Sequence, residues 1–365
     1  MNKKIILVTL FDDNNIGNRL QNYALQKILM SYGIEVVTLN NGYTTQPTLK
    51  MTVKAWIQSV LGILGLKNCR RKYQKYIADK KRRTANIEFD RNNIKKIINI
   101  NNDQAFQIDW SEYEVAIAGS DQIWHKWREE DDELPYYYLQ FMPPEKRCAY
   151  AASFGFEEFP DKDLEQHEKG LKGMRYISCR EQSGCDLIKG VIGKEVPRVL
   201  DPTLLMKAEE WRKIEGQASD FAKNQKNYAF LYFLGEQTDE YNVYMEQIVR
   251  TKDIERIIDF SDYTNSDICE CGPSDFLSLI DNARYVFTDS FHCTVFSLLF
   301  EKEFTVFRRK QIGFEKMFGR VEDLLASKGK LQHIYGGSKK EATNDFDDLY
   351  LCSMQYIDKI LNIIS

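Results

Sequence analysis

The chain begins, in residues 4–39, with KIILVTLFDDNNIGNRLQNYALQKILMSYGIEVVTL. Residues 4–10 form an apolar run that predicts a buried strand, and the polar residues 11–18 predict a loop. A helix is predicted from about Arg19, because apolar side chains recur at spacings of three and four up to Gly33. Residues 34–39 predict a second strand. Strands joined in this way pair in parallel through a right-handed crossover, so the chain starts as a Rossmann-like half.

The rest of the chain continues this alternation of short apolar runs and amphipathic segments. Strands are predicted at residues 113–118, 148–154, 175–180, 196–200, 228–234, 256–260, 285–288 and 304–307, and helices at 241–252, 273–282 and 346–363. Asp201 precedes a proline, which disfavours helix and marks a crossover between domains. We therefore predict an α/β fold of two Rossmann-like domains facing across a cleft, in residues 1–200 and 201–345, with a C-terminal helix in 346–365.

Composition excludes several classes of protein. A formal net charge of −4 and a pI near 5.8 argue against a nucleic-acid partner, which selects for excess Lys and Arg. No apolar run approaches the ~20 residues of a membrane span, and the apolar start is too short for a secretory signal. The eight cysteines lack the spacing of a zinc site or a disulfide scaffold. We expect a cytoplasmic protein without a metal.

One strongly basic stretch stands out, inside a helical excursion from the first domain at about residues 49–100. Residues 49–66 are mostly apolar and include Trp56, and residues 67–83 contain nine Lys or Arg against the single acid Asp79. A basic segment beside an apolar helix is typical of a peripheral contact with the inner face of a membrane. A solvated helical face is the other interpretation.

Polar side chains follow several predicted strands at the edge where ligands bind in open α/β sheets. They are Asn18, Arg19, Ser120, Asp121, Arg180, Asp289, Ser290 and His292. His292 lies where an apolar strand gives way to a helix, whose first turn offers N–H groups to an anion. It is either a ligand group or a hydrogen-bonded histidine at a buried strand end.

Two further strand ends allow more than one interpretation. Gly119-Ser120-Asp121 predicts that a helix begins there, with small residues that let a ligand approach and side chains that can cap the helix. The Arg180 guanidinium suits a carboxylate or phosphate, because it can bind both oxygens of such a group. An ion pair with the adjacent Glu181 is the structural alternative.

The chain contains no Gly-x-Gly-x-x-Gly, Walker A, His-Glu-x-x-His or Gly-x-Ser-x-Gly motif. It does contain six segments which, in this order, resemble the polysaccharide pyruvyl transferase family. They are NIGNRLQNYALQ (15–26), AGSDQIW (118–124), YAASFG (150–155), ISCREQS (177–183), VLDPT (199–203) and TDSFH (288–292).

The resemblance implies a glycosyltransferase-B-like fold with the active site between two Rossmann-like domains, and a final helix that packs back on the first domain. It also implies transfer of a pyruvyl group from phosphoenolpyruvate to a sugar of a surface polysaccharide or its lipid-linked precursor, as a cyclic ketal with release of phosphate. Arg180 matches the family's donor-binding arginine and His292 its late histidine. No cofactor is implied, since phosphoenolpyruvate is the donor substrate.

One departure concerns the donor's anionic groups. Many relatives have Arg-Leu-His-Gly where this chain has Ser290-Phe-His-Cys293, so one arginine is missing. Arg320, at the start of a predicted helix, or Arg19 can supply the charge, and Arg308 and Arg309 are further candidates.

These considerations give a set of expected site residues. Ketal formation requires a proton donor to the methylene carbon and a base for the sugar hydroxyl, and we assign catalytic roles to His292, Arg180, Asp121 and Asp289. We assign substrate contacts to Asn18, Arg19, Gly119, Ser120, Gln122, Trp124, Ser290, Phe291 and Arg320, with Trp124 or Trp127 stacking on the sugar.

Two other functions fit the same architecture. The chain can be a glycosyltransferase that uses a nucleotide sugar, or a saccharide-binding protein without activity. For the pyruvyl transferase we expect Arg180→Ala and His292→Ala to fold normally and to lose donor binding, because both side chains line one cavity in this interpretation.

Overall fold

The computed structural model describes residues 3–12, 14–41, 49–63, 66–127, 133–310 and 318–364, with only the helical backbone at 49–52 and 62. The parts of the predicted basic excursion at residues 64 and 65 lie outside these ranges. The first half contains β1 (Lys4–Val8), α1 (Ile16–Ser31), β2 (Glu35–Asn40), α2 (Leu49–Ile63), α3 (Lys67–Asn93), β3 (Ile97–Asn99), α4 (Asn102–Ala105), β4 (Val115–Ala118), α5 (Leu134–Tyr137), β5 (Arg147–Ala149), α6 (Leu164–Lys172) and α7 (Gln182–Ile192).

The second half follows a short 3-10 turn at Pro202–Leu205. It contains α8 (Ala208–Glu215), α9 (Asp220–Lys223), β6 (Tyr228–Tyr232), α10 (Asp239–Thr251), β7 (Arg256–Asp259), α11 (Ser266–Glu270), α12 (Pro273–Asp281), β8 (Tyr285–Thr288), α13 (Phe291–Leu299), β9 (Phe304–Val306), α14 (Gly319–Ser327) and α15 (Phe346–Leu361).

The described strands form two parallel sheets, and the α/β fold of two Rossmann-like halves is confirmed. The first sheet has the order β3-β2-β1-β4-β5 and the second the order β7-β6-β8-β9. Within each sheet every pair of neighbouring strands is parallel. Parallel strands present their carboxyl ends at one edge, which is where the polar side chains predicted from the sequence lie. The domain limits at residues 200 and 345 stay a prediction.

Three predicted elements differ in the structure. Residues 175–180 and 196–200 form isolated parallel bridges instead of strands, at Tyr176, Cys179 and Arg198. The predicted strand at 148–154 ends at Ala149, because Ala151 has a φ of 52° and turns the chain out of extended geometry. The sheet is therefore extended by single bridges beyond β5.

No helix begins at Gly119-Ser120-Asp121, contrary to the sequence prediction. Asp121 has a φ of 76° and Ser120 donates a hydrogen bond to Asp201 at 2.9 Å. Side chains that are predicted to cap a helix are instead taken by partners far along the chain. The chain therefore forms a tight polar turn after β4.

The C-terminal helix α15 packs back on the first half, as expected. The Tyr356 hydroxyl donates to the carbonyl of Ala149 in β5 at 3.1 Å, and Ser353 accepts from the Leu200 amide at 2.8 Å. One apolar core extends across both halves through Tyr23, Trp211 and Phe296. The ring centroids of Tyr23 and Trp211 are 5.7 Å apart, and those of Trp211 and Phe296 are 4.9 Å apart. The two halves are thus joined by shared packing and by α15.

Candidate active site

A cavity of about 200 Å³ lies between the two halves, at the carboxyl edge of both sheets. Its walls come from the loop after β1, the start of α1, the turn after β4, the end of β6 and the start of α13. The lining residues are Leu10, Phe11, Asp12, Asn15, Ile16, Gly17, Asn18, Asp121, Gln122, Trp127, Tyr232, Leu234, Phe276, Ser290, Phe291, His292, Arg309 and Arg320.

Two helices begin at this cavity, one from each half. Asn15 caps α1 by accepting from the Asn18 amide, and Ser290 caps α13 by accepting from the Cys293 amide. The first turn of a helix leaves N–H groups without intrahelical acceptors and carries the positive end of the helix dipole. Two such ends facing one small cavity favour an anion there.

His292 lies in the first turn of α13 and reaches across to α1. A Cβ on Gly17 would stand 2.1 Å from His292 Nδ1, so only glycine allows this approach. On the other side, Nε2 is 3.7 Å from Asp201 Oδ2 and has no hydrogen-bond partner among the described residues. His292 therefore lines the cavity with both halves packed against its ring.

Asp201 is a site residue that the sequence reasoning missed. Its carboxylate is fully buried, and it accepts hydrogen bonds from Ser120, from Arg180 at 2.8 Å and from Thr203. Burial opposes its ionisation, but the charges of His292 and Arg180 and the hydrogen bonds hold the pKa of Asp201 well below its usual value. Asp201 follows an apolar run and lies in the VLDPT segment of the family resemblance, which is the signal that marks it, but the sequence analysis gave it no role in the site.

Arg180 is surrounded by three carboxylates. Besides Asp201, its guanidinium donates to Asp121 at 3.2 Å and lies 3.7 Å from Glu181. Burial acts against the charge, and these three acids raise the pKa of Arg180 above its usual value. Arg180 does not line the main cavity; it lines a second space of about 20 Å³, which Phe291 and Arg320 also border. The expectation that Arg180 and His292 line one cavity is therefore wrong: they converge on Asp201 instead.

Arg320 lines the main cavity and also the smaller space that Arg180 lines. Both guanidinium groups lie over the ring of Phe291, at 4.5 Å from its centroid for Arg180 and 5.4 Å for Arg320. Arg320 lies 3.6 Å from Asp121, with Glu181 as a more distant acid, and its Nε, like that of Arg180, is buried without a hydrogen-bond partner among the described residues. Burial, together with the nearby Arg180, lowers the pKa of Arg320 to about 10. Its positive charge is incompletely compensated, so an anion in the cavity would stabilise it.

Asp121 and Asn18 form the polar wall opposite His292. The side-chain amide of Asn18 donates to Asp121 Oδ2 at 2.5 Å, and both side chains line the cavity. Burial opposes the charge of Asp121, but Arg180, His292 and Arg320 lower its pKa overall. A carboxylate with a lowered pKa is a weak base. Asp121 suits the role of an acceptor that orients a hydroxyl better than that of a proton acceptor.

Gln122 and Trp127 complete the wall formed by the turn after β4. The Gln122 Nε2 is buried without a hydrogen-bond partner among the described residues, and Gly155 leaves room for it. Trp127 is 42% exposed and borders the cavity. Trp124, by contrast, is fully buried and stacks on Tyr138 with ring centroids 5.1 Å apart. The predicted substrate contact of Trp124 is therefore wrong, since the ring belongs to the core.

Asp289 lies behind the cavity wall and does not line it. Its carboxylate accepts from the amides of Leu234 and Gly235 at 2.7 and 2.8 Å and from Arg309 at 3.1 Å. The prediction that Asp289 contacts a sugar hydroxyl is not supported, because its oxygens hold the end of β6 and Arg309. Arg309 itself lines the cavity.

Three other predicted contacts belong to the packing around the site. Arg19 is 1% exposed, pairs with Asp90 at 3.2 Å and lies outside the cavity lining, so it cannot replace the missing family arginine. Ser120 is fully buried against Asp201, and a Cβ on Gly119 would meet Leu7 at 3.1 Å. Arg308, a further candidate, pairs with Glu322 at 2.6 Å and is also outside the lining.

The arrangement thus joins a cationic and a polar wall around a small cavity. The members that the structure brings together from the sequence prediction are Asn18, Asp121, Gln122, Ser290, Phe291, His292 and Arg320. Within the described ranges, no three His, Cys, Asp or Glu side chains cluster so as to hold a metal ion. None of the helices in the described part of the chain has the length and apolar character needed to cross a bilayer.

Comparison with solved structures supports the fold. A protein from Listeria monocytogenes, provisionally named a UDP-N-acetylglucosamine 2-epimerase, superposes with a TM-score of 0.52 at 10% identity and covers 99% of this chain and 91% of its own. The E. coli heptosyltransferase WaaC, with ADP-2-deoxy-2-fluoro heptose, gives a TM-score of 0.37 at 7% identity over 84% and 89% of the two chains. The first likeness carries the argument, and it concerns the glycosyltransferase-B-like architecture alone.

Sequence comparison identifies the family. None of the curated proteins compared matches the chain. The family model described as polysaccharide pyruvyl transferase matches residues 15–311, which is more than half of the 365 residues and spans parts of both halves. Most of the cavity lining falls within this range, whereas Leu10, Phe11, Asp12 and Arg320 lie outside it. This chain belongs to the polysaccharide pyruvyl transferase family.

Proposed function

We propose that this enzyme transfers the pyruvyl group of phosphoenolpyruvate to two hydroxyls of a saccharide, forming a cyclic ketal and releasing phosphate. The observation that carries the proposal is the incompletely compensated guanidinium of Arg320 in a small cavity where two helices begin. Phosphoenolpyruvate bears a carboxylate and a phosphate, and it is small enough for such a space. Membership of the family supports this choice of anion.

In the proposed reaction, protonation of the methylene carbon makes C2 electrophilic while a sugar hydroxyl oxygen bonds to it. The proton of that hydroxyl leaves to a base, and a tetrahedral phosphate ester of the ketal carbon results. The second hydroxyl then bonds to C2 as the C2–O bond to phosphate breaks, and its proton leaves with the phosphate or to a base. The sum is one donor and one diol converted to one ketal and one phosphate.

His292 is the group we assign to the proton transfers. It lines the cavity, and an imidazole can both give up and take on a proton, so we assign it a donor role in one step and an acceptor role in another. The buried Asp201 carboxylate lies 3.7 Å from its Nε2, and Gly17 packs against its Nδ1 side. Arg320 and Arg309 are assigned to the donor's anionic groups, and Arg180 is a positioning residue that holds Asp121 and Asp201 in place.

The acceptor has a plausible path in a second space. An open groove of about 740 Å³ shares Tyr232 and Leu234 with the cavity and runs between α3 and the second sheet. Its cations include Arg71, Lys72 and Lys75, and Tyr232 and Tyr263 offer aromatic rings. Such a groove suits an extended saccharide that carries an anionic group.

The same groove keeps the nucleotide-sugar glycosyltransferase as a second candidate, because its size and cations also suit a nucleoside diphosphate. Purified enzyme is incubated with phosphoenolpyruvate and a panel of oligosaccharides, and phosphate release is measured. Release that requires both donor and acceptor supports pyruvyl transfer. Thermal stabilisation by UDP-sugars but not by phosphoenolpyruvate would favour the glycosyltransferase.

Arg320→Gln is the decisive variant for the donor site, and Arg250→Gln, on the exposed surface of α10, is its matched control. Arg320→Gln should abolish thermal stabilisation by phosphoenolpyruvate while Arg250→Gln leaves it unchanged. Equal stabilisation of the two variants would contradict the assignment of the cavity.

A further inference from the structure

The helical hairpin formed by α2 and α3 exposes an apolar strip that the reaction does not use. It consists of six exposed apolar side chains, those of Val53, Trp56, Ile57, Val60, Ile63 and Leu66. The first five recur at spacings of three and four, which places them on one face of α2. Trp56 is 67% and Ile63 is 83% exposed. An exposed apolar strip of this length is typical of a surface that binds another protein or a membrane.

The charge around this strip has a single sign. Residues 41–78 contain no Asp or Glu, although the whole chain is acidic with a net charge of −4. Lys54, Lys67 and Arg70 are exposed beside the strip, and no described residue pairs with them. The strip is therefore bordered by cations that no side chain in the described part of the chain neutralises.

The more distant cations of the basic stretch are engaged elsewhere. Arg71 donates to Tyr263 at 2.6 Å, Lys81 pairs with Glu270 at 2.7 Å, and Arg82 donates to the carbonyl of Ile268 at 2.6 Å. These contacts tie α3 to the second half of the molecule. The sequence left two interpretations of residues 67–83, a membrane contact or a solvated face. Arg82 fits neither, because its guanidinium donates to backbone carbonyls of the second half, whereas Arg71 and Lys81 make their contacts at the solvent-exposed surface.

We infer that the α2 strip docks the protein on an anionic lipid surface, with Trp56, Ile63 and Leu66 entering the interface between headgroups and acyl chains. Tryptophan and aliphatic side chains on one face with Lys and Arg at its border are the pattern of helices that lie in that interface. A symmetric pair of copies is the less favourable occupant, because it would set the two cationic borders against each other. This inference does not depend on the chemistry of the cavity.

Docking has a consequence for the acceptor. The groove that we assign to the saccharide is lined by α3, the helix that follows the strip directly. We expect a bilayer docked on the strip to bring lipid-linked saccharides close to α3, and so to the groove that this helix lines. Docking on a membrane would thereby favour a lipid-linked acceptor, and this consequence rests on the proposed function.

The test is co-sedimentation of the full chain with vesicles of phosphatidylcholine alone and of phosphatidylcholine with phosphatidylglycerol. We expect binding to the anionic vesicles that falls as salt is raised. The triple variant Trp56→Ser, Ile63→Ser, Leu66→Ser should bind at least about tenfold more weakly, a loss of ~1.4 kcal/mol per factor of ten. A second triple variant removes the cations at the border of the strip, with the substitutions Lys54→Gln, Lys67→Gln and Arg70→Gln. Its binding should no longer depend on the presence of anionic lipid.

The matched control is Val243→Ser with Leu351→Ser, two exposed apolar side chains on α10 and α15. The control should bind vesicles like the wild type, and all variants should keep the wild-type thermal midpoint because the altered side chains are exposed. Brominated acyl chains should quench the tryptophan fluorescence of the wild type. This quenching should be lost in Trp56→Phe, because Trp56 is the tryptophan that we expect to enter the interface.

Several results would overturn the inference. They are absence of wild-type binding to anionic vesicles, equal binding by the triple variant, or a wild-type dimer in light scattering that the triple variant dissolves. Phosphate release with a water-soluble acceptor is measured on the same samples. A failure of docking with intact release leaves the proposed reaction standing, and the reverse result leaves the docking surface standing.

Discussion

Two arginines whose guanidinium groups both lie over the ring of Phe291 differ in how many acids surround them. Arg180 meets Asp121, Asp201 and Glu181 within 3.7 Å. Arg320 meets Asp121 at 3.6 Å and lines the main cavity, which Arg180 does not. We propose that the first guanidinium builds the site and that the second binds the donor. Compensation by the protein's own acids, and not residue type, distinguishes the two roles.

The largest expected effect is on folding, at Arg180. Arg180→Gln leaves the Asp121 and Asp201 carboxylates buried without their cation, which costs about 3–5 kcal/mol of the free energy of unfolding. Urea unfolding followed by circular dichroism measures this. This replaces the sequence expectation that loss of Arg180 leaves the fold intact. Near-wild-type stability together with lost donor binding would restore the earlier role.

The next effect is on turnover, at Arg320. Arg320→Gln should lower kcat/KM for phosphoenolpyruvate about 10²–10³-fold, since it removes a preorganised cation from the place where negative charge is bound. Its free energy of unfolding should be unchanged or higher, because an uncompensated buried charge is removed. Steady-state phosphate release and urea unfolding of the same sample check both parts. A large loss of stability would place Arg320 with Arg180.

A third prediction concerns the contact between α1 and α13. Gly17→Ala places a methyl group 2.1 Å from His292 Nδ1 in the absence of any shift. Overpacking of this kind costs about 1–3 kcal/mol, and the imidazole must move away from Gly17 and out of its present position in the cavity wall. We expect kcat to fall more than the KM for phosphoenolpyruvate rises. Gly190→Ala, a helical position with no neighbouring atom within 4 Å, is the control and should behave as the wild type.

A smaller effect separates two acids that both contact Arg180. The pKa of Asp201 is lower in the folded protein than the unfolded value of about 3.9, so its contribution to stability is present above that value and is lost as the pH falls. Burial dominates at Glu181 and raises its pKa, so ionisation of Glu181 weakens the fold as the pH rises. Asp201→Asn should destabilise the protein at pH 7, and Glu181→Gln should be neutral or stabilising. Urea midpoints at pH 4 and pH 7 test the difference, because the loss in Asp201→Asn should be present at both pH values whereas any gain in Glu181→Gln should appear only at pH 7. Equal losses in both variants would contradict it.

The smallest effect is at the rim of the cavity. Trp127→Ala should raise the acceptor KM by about 2–10-fold, corresponding to ~0.5–1.5 kcal/mol of aromatic contact, and should leave donor binding unchanged. Trp124→Ala is its counterpart in the core and should instead destabilise the fold by about 3–5 kcal/mol. Titration of acceptor at saturating donor distinguishes the two tryptophans.

The local patterns in the sequence predicted the architecture well, because short apolar runs and periods of three to four residues depend on nearby residues alone. The strand–helix–strand start, the strand feeding His292 and the final amphipathic helix are all found. The errors fall where distant partners decide. Ser120 and Asp121 do not cap a helix because Asp201 and Arg180 take their side chains.

The sequence predicted that the site residues follow the ends of strands, but it did not predict which of them pair with one another and which face the cavity. The sequence placed Arg180, Asp289 and His292 at the correct edge, since parallel strands end together. It could not show that Asp201 and Glu181 neutralise Arg180, or that Asp289 is consumed by two backbone amides and Arg309. Those partners are set by the packing of the halves, which no local spacing encodes.

The aromatic chain from Tyr23 through Trp211 to Phe296 has a consequence for how the molecule comes apart. Side chains of both sheets' helices share this interior, so neither half can lose its packing without exposing the other's. Heating should therefore give one calorimetric transition with equal van't Hoff and calorimetric enthalpies. Substrates would then gain access through movements of side chains and loops, such as the turn that carries Trp127, in a body whose two lobes stay together.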